Sequence, residues 1–233
     1  MREDRSGEEV EDSTKMIELE WPKNRPAYQT AGNISIYPHN SSDKVERAKE
    51  VLNNTFELIF TIQEKSGSKK CSIPSPISLD TILKEHIDLN GKITQGELLS
   101  MKKFLTKGAF EKVTAFMEEK QKKEETCDLV DLLEGVKLSG DKVSFLLSLN
   151  KSIEPRSYTI CSSALVSPSI IQIAVSTLYI KGETPKKGLF SQFIDDSSQV
   201  LNSDSKKVIR VRASLIKSSF TLPKDLKTPV KIS

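Results

Sequence analysis

With 233 residues, 36% of them apolar, the chain is long enough to bury the core of one large domain or two small ones, which sets it apart from fibrous and wholly disordered chains. A formal net charge of +3 on a chain that is 29% charged gives no strong field, and no basic stripe with interleaved aromatics occurs, so nucleic acid is not an expected partner. Cys71, Cys127 and Cys161 are odd in number and not closely paired, which argues against a disulfide framework and a zinc site and fits a reducing compartment such as the cytoplasm.

Residues 1–14 are polar and charged, and the expectation is a loose or truncated start. Residues 15–21 alternate apolar and polar as a half-buried strand does, and residues 33–37 do so again before Pro38. Ser42 and Asp43 are placed to cap a helix running to about Asn53, with Val45, Ala48, Val51 and Leu52 on one face. Residues 56–62 read as another short strand. Over residues 78–149 the period changes: Leu79, Ile82 and Leu83, then Leu98, Met101 and Phe104, then Phe110, Val113 and Phe116, then Leu129, Leu132 and Leu133 recur at helical spacing. Residues 120–125 form a charge run expected on a solvated helix face. Strand patterns return at 156–162, 170–179, 207–212 and 218–222. No apolar run approaches the ~20 residues of a membrane span, so no membrane contact is expected from this segment.

The chemistry-bearing residues cluster late in the chain. Glu154-Pro155-Arg156-Ser157-Tyr158-Thr159-Ile160-Cys161-Ser162-Ser163 puts a guanidinium, a phenol and a hydroxyl on one extended segment. Strand geometry sends Arg156 and Tyr158 to one side and Ser157 and Thr159 to the other. A planar guanidinium fork suits a diphosphate, and a phenol stacks on a heteroaromatic ring. About thirty residues on, Lys187-Gly188-Leu189-Phe190-Ser191 opens what reads as a short helix, residues 189–194, whose first N–H groups suit a phosphate. Together the two segments point to a flavin site.

These residues resemble a known family, the FAD-binding module of the diflavin reductases, which includes NADPH-cytochrome reductase, the sulfite reductase flavoprotein and the reductase region of pyruvate:NADP oxidoreductase. Tyr28-Gln29-Thr30-Ala31-Gly32-Asn33-Ile34-Ser35-Ile36-Tyr37-Pro38-His39-Asn40 is similar to the family's Tyr-x-x-Gly-Asp-x-hydrophobic-x-Val-x-Pro-x-Asn strand. Ile87-Asp88-Leu89 is similar to its Leu-Asp-Leu at the start of a helical region. Pro155 to Ser163 resembles Pro-Arg-x-Tyr-Ser-Ile-x-Ser-Ser, residues 187–191 resemble Lys-Gly-x-x-Ser/Thr, and residues 217–223 resemble Lys-Ser-x-Phe-x-Leu-Pro.

The resemblance implies an α+β fold: a flattened antiparallel β-barrel of the ferredoxin-reductase type, built from residues 15–77 and 150–233, with an all-helical connecting insert at 78–149. It implies FAD as cofactor, with Arg156 on the diphosphate, Ser157 beside it, Tyr158 against the isoalloxazine and Thr159 as the catalytic hydroxyl near the hydride-accepting nitrogen. Ala174, Val175 and Ser176 would line the cofactor by backbone contacts, and Gly188, Leu189, Phe190 and Ser191 would hold the diphosphate. Thr159 replaces the family's Ser, keeping the hydroxyl while adding a methyl that stiffens the side chain. No Gly-x-Gly-x-x-Gly loop follows, so the chain reads as a module of a longer NADPH-dependent oxidoreductase. FMN- and NADP-binding domains would belong to that parent, which could be organellar or membrane-tethered. The module alone is not expected to sustain turnover.

Two other readings compete. Residues 86–97, His86-Ile-Asp88-Leu-Asn90-Gly91-Lys-Ile93-Thr-Gln-Gly-Glu97, imitate an EF-hand calcium loop, but the first ligand position holds a histidine, a poor calcium ligand. No metal ligands are assigned. A non-catalytic interaction module is the other alternative. His39 and His86 are both read as ordinary surface or loop residues.

Overall fold

The computed structural model describes residues 2–3, 9–52, 59–62, 73–123, 127–134, 136, 138–139, 141–149, 151–180, 186–204 and 206–217. In chain order these form β1 (Arg2–Glu3), β2 (Glu9–Glu20), β3 (Asn33–Tyr37), α1 (Ser42–Val51), β4 (Ile59–Phe60), β5 (Ile77–Ser78), α2 (Leu79–Glu85) and α3 (Gln95–Met101). A 3-10 turn, Lys102–Phe104, leads to α4 (Lys107–Lys122), α5 (Leu129–Leu133), α6 (Lys142–Ser148), β6 (Arg156–Thr159), β7 (Ile170–Ile180), β8 (Lys186–Lys187), α7 (Leu189–Ser203) and β9 (Arg212–Ile216). Two compact units emerge: residues 1–37, 155–191 and 208–233 form the first, and residues 38–154 and 192–207 the second. The strand expected at 56–62 is described only from Ile59, and the motif residues 218–223 lie outside the described residues.

The first unit is built on a long pair. β2 runs antiparallel to β7 in unbroken register from Val10↔Ile180 to Glu20↔Ile170. Ile171, Ile173 and Val175 alternate into the core at 0% exposure, as the period of two requires. β2 starts at Glu9, earlier than the residue 15 read from apolar alternation. Backbone pairing along the whole of β7 carries the strand into its polar beginning, where the Ser13 and Thr177 hydroxyls meet at 2.6 Å.

The second sheet has β3 at its centre, flanked by β6 and β9, both antiparallel to it. Ile34 and Ile36, at 0% and 2% exposure, bury its apolar face. The last strand spans 212–216 where the sequence pattern placed one at 207–212, because register against β3, Tyr37↔Arg212 to Asn33↔Ile216, selects the later residues. The turn into β3 is anchored by Tyr28, whose hydroxyl reaches the Ser167 and Ile170 carbonyl oxygens at 2.6 and 2.9 Å. In this turn Ala31 takes a left-handed φ of 58°. A side chain there costs about 1–2 kcal/mol, while glycine adds about 0.5–1 kcal/mol of unfolded-state entropy. Ala31→Gly is therefore expected to stabilise the chain by about 0.5–1 kcal/mol, read as a higher urea midpoint at unchanged slope.

The strands described do not close into the expected barrel. Among the described residues they form a four-stranded sheet β1-β2-β7-β8, a three-stranded sheet β6-β3-β9 and the ribbon β4-β5. One bridge, Ile160↔Ile173, ties the first sheet to the second, reinforced by the Cys161 N–H on the Gln172 carbonyl at 2.8 Å. β6 is only four residues long before it reaches that bridge, too short to pair along the eleven-residue β7 and close the ring.

The second unit is mainly helical. Ser42 and Asp43 do not cap α1 as expected: they lie in its first turn, and the residue before them, Ser41, makes no side-chain cap bond, whereas five later helices are capped. Ser78, Thr94, Thr106, Asp128 and Asp141 each accept backbone N–H bonds from the first turn of α2, α3, α4, α5 and α6. Thr94 and Glu97 complete a reciprocal capping box. Ile82, Leu83, Leu89, Met101 and Phe145 are fully buried in one core. Asn40, 3% exposed, donates to the Leu83 and Ile87 carbonyls at 2.6 Å each and accepts from Asn90 at 3.0 Å, so the chain leading to α1 is locked to the end of α2.

Cys127 sits buried beside the cap of α5. Burial, with Asp131 and Asp128 nearby, pushes its thiol from 9.0 up to about 11. An acid whose folded value is raised favours the neutral form, so the unfolded chain loses the proton first and stability falls as pH rises from about 9 towards 11. The urea midpoint should decline across that window, with a shallower slope in Cys127→Ala.

Candidate functional site

β6 is the outer strand of its sheet, and its alternation distributes the expected site residues as the sequence predicts. Thr159 lies opposite Asn33 and Ser157 opposite Ser35, with the Thr159 hydroxyl donating to Asn33 Oδ1 at 3.2 Å and the two serine oxygens 2.7 Å apart. Arg156 and Tyr158 alternate with them, opposite Ile36 and Ile34. Arg156, Ser157 and Thr159 are exposed, and Tyr158 is half-buried.

Tyr158 is held by a residue to which the family resemblance gave a different task. The Phe190 ring lies 4.8 Å from it, centroid to centroid, tilted by 38°. Phe190 is 6% exposed, so its ring buttresses the phenol in addition to standing at the helix start. Burial pushes the Tyr158 phenol up to about 12, with the Arg156 charge pulling weakly the other way, so it is neutral throughout the physiological range.

β7 supplies the most informative feature. One edge pairs with β2 throughout, while the other is bridged at Ile173 by Ile160 and at Tyr179 and Ile180 by β8. Between these attachments, residues 174–178 pair only with β2 among the described residues. The sheet is interrupted there, with Thr159 on one flank and Lys187 and Gly188 on the other. Val175 turns its side chain into the core at 0% exposure, whereas Ala174 and Ser176 are exposed.

Gly188 precedes α7, and a Cβ built on it would have only Ser191 Oγ within 4 Å, at 3.8 Å, leaving the approach to the helix start open among the described residues. α7 runs to Ser203, well beyond the expected end at 194. In the polar run after Ile194, Gln192 bonds Asp196 one turn on at 2.6 Å, and the Ser198 hydroxyl donates to the Ile194 carbonyl at 2.8 Å. Residues 8–193 match the family model described as the FAD binding domain.

The chain belongs to the FAD-binding domain family.

FAD, the cofactor expected from the sequence, is the one that names the family. Among curated proteins the chain is 22% identical to an NADPH–cytochrome P450 reductase of Drosophila melanogaster, over 92% of this chain and 33% of that protein. It is 26% identical to a bifunctional cytochrome P450/NADPH–P450 reductase of Bacillus cereus, over 94% of this chain and 21% of that protein. A Saccharomyces cerevisiae NADPH–cytochrome P450 reductase matches at 22% over 63% of this chain and 23% of its own length. This FAD-binding chain thus spans a third or less of these relatives, and the resemblance to diflavin reductases holds along most of it.

The loop that imitates a calcium site is organised around an internal cation. The Lys151 ammonium, on a residue 8% exposed, donates to the Gly91 and Lys92 carbonyls at 3.0 and 3.1 Å and lies 3.6 Å from Glu97 Oε1. Asp88 turns its carboxylate onto the Asn90 and Gly91 N–H groups. Both histidines lie in connecting segments as expected, but His86, in the turn after α2, is buried at 7% exposure, while His39, in the loop after β3, is partly exposed and packs edge-on against Phe193 at 5.2 Å. No helix among the described residues is long and apolar enough to cross a membrane.

Proposed function

We propose that the chain holds FAD along the interrupted edge of β7 and serves as the flavin module of an NADPH-dependent oxidoreductase, one that takes hydride from NADPH and relays electrons to an FMN domain or another acceptor. The observation carrying this reading is the gap that the described residues leave at 174–178, flanked by Thr159 on one side and Gly188 on the other. A strand edge left unpaired offers backbone donors and acceptors to a ligand lying along it. The names of the P450 reductase relatives support the electron-transfer part.

The groups around the gap suit FAD. Arg156 meets the diphosphate with a two-pronged donor, beside the Ser157 hydroxyl, and the N–H groups at residues 188–191 add the positive end of α7. Tyr158, braced by Phe190, offers its free face to the isoalloxazine. Ala174, Val175 and Ser176 line the cofactor through their backbone. Thr159 sets its hydroxyl at the ring edge. Bound FAD supplies two-electron hydride chemistry together with one-electron transfer, and the chain's share is orientation, electrostatics and exclusion of water.

The test is reconstitution. The purified chain incubated with FAD should retain it through gel filtration with a flavin absorption spectrum, and a colourless eluate refutes the reading. In a polypeptide that also carries FMN- and NADP-binding domains, Thr159→Ala should keep FAD but slow its reduction by NADPH about 10–100-fold, within the range of one positioned polar group. Loss of FAD from Thr159→Ala equal to that from Arg156→Ala would contradict the two separate roles.

A further inference from the structure

We infer that Asn33 is a positioning residue that fixes the proton of the Thr159 hydroxyl, so that Thr159 meets its ligand as a hydrogen-bond acceptor. This rests on the reading of Thr159 as the hydroxyl at the flavin edge. Asn33 and Thr159 are direct cross-strand partners, and the Thr159 hydroxyl donates to Asn33 Oδ1 at 3.2 Å. Asn33 is a steady platform because β3 is the central strand, paired with Thr159 on one side and Ile216 on the other. The next rung, Ser35 with Ser157 at 2.7 Å, repeats the arrangement and holds β6 in register.

A threonine hydroxyl has one proton and two lone pairs. With the proton spent on Asn33, the oxygen presents lone pairs to anything else that approaches. Threonine also has few χ1 wells, so one side-chain bond is enough to select among them. The flavin nitrogen that accepts hydride carries a proton only in the reduced cofactor. An acceptor at that position therefore favours reduced over oxidised FAD, whereas a hydroxyl free to rotate donates to the bare nitrogen and favours the oxidised ring. The pair Asn33 and Thr159 thereby sets the direction of the bias, and the residue opposite the catalytic position decides which way its hydrogen bond points.

The test has one arm without flavin and one with it. In the chain alone, three-bond couplings to the Thr159 methyl group should report one χ1 rotamer in the wild type and in Asn33→Asp, which keeps an accepting oxygen. Asn33→Ala and Asn33→Val should both show rotamer averaging, the second guarding against a variant that folds poorly. With FAD bound, the midpoint potential should shift negative in Asn33→Ala, and the shift should vanish when Asn33→Ala is made in a Thr159→Ala background. A single Thr159 rotamer in the alanine and valine variants, or a potential shift that persists without the Thr159 hydroxyl, overturns the inference. If the wild type binds no FAD, the reading of the site falls and the redox bias with it, while the rotamer arm still decides whether Asn33 holds Thr159.

Discussion

Arg156→Ala is expected to weaken FAD retention about 10–100-fold in a fluorescence titration, the largest loss of any single change at the site. A hydrogen bond to a charged group contributes about 1.5–3 kcal/mol, which is that range of affinity. Arg156 is exposed on the outer strand of its sheet, so its removal should change folding stability by less than about 1 kcal/mol. Arg156→Lys should recover only part of the affinity, because an ammonium keeps the charge and loses the planar pair of donors. Full recovery by lysine would show that charge alone is read at this position.

Lys151→Met is expected to cost about 2–4 kcal/mol of folding stability, measured from urea denaturation. Its ammonium is the internal partner of the Gly91 and Lys92 carbonyls and approaches Glu97 at 3.6 Å. A methionine of similar length leaves those oxygens facing an apolar tip, and each buried polar group without a partner costs about 1–3 kcal/mol. Glu97 has a second commitment that limits the damage: its other oxygen accepts from the Thr94 N–H and hydroxyl at 2.6 and 2.9 Å. The variant should therefore loosen the loop at residues 88–92 more than α3. A change below 0.5 kcal/mol would mean that water takes over the role of the ammonium.

Local chemistry was legible in the sequence wherever one residue dictates one geometry. The alternation of Arg156 and Tyr158 against Ser157 and Thr159 followed from the period of a strand. Features that depend on a partner distant in the chain were not. Strand β2 begins at Glu9 because β7 is long enough to pair with it, and no polar residue from 9 to 14 announces that. Among the described residues the interruption at 174–178 is set by where Ile160 and β8 attach, and the sequence named Ala174, Val175 and Ser176 through family resemblance without announcing it. Phe190 was expected only at the diphosphate with Gly188, Leu189 and Ser191, and its 4.8 Å approach to Tyr158 is a contact that the sequence did not announce. The sequence reading ended α7 at 194, whereas the helix runs on to Ser203, with Gln192 bonded to Asp196 across the expected end.

Ala31 carries a related lesson about the turn before β3. Counted from Tyr28, the glycine of the Tyr-x-x-Gly pattern falls on Ala31, the residue with φ of 58°. A position that asks for glycine holds alanine, and the neighbouring Gly32 closes the turn with its N–H on the Gln29 carbonyl at 2.9 Å.

Asn40 makes the helices non-detachable as a cassette. Its carboxamide stitches residue 40 to the carbonyls of Leu83 and Ile87, so severing the polypeptide at 78 and 149 would strand that amide and strip α1 from the faces of α2 and α5. A swap between homologues is better joined at Pro38 and Glu154, where the contact pattern itself changes hands.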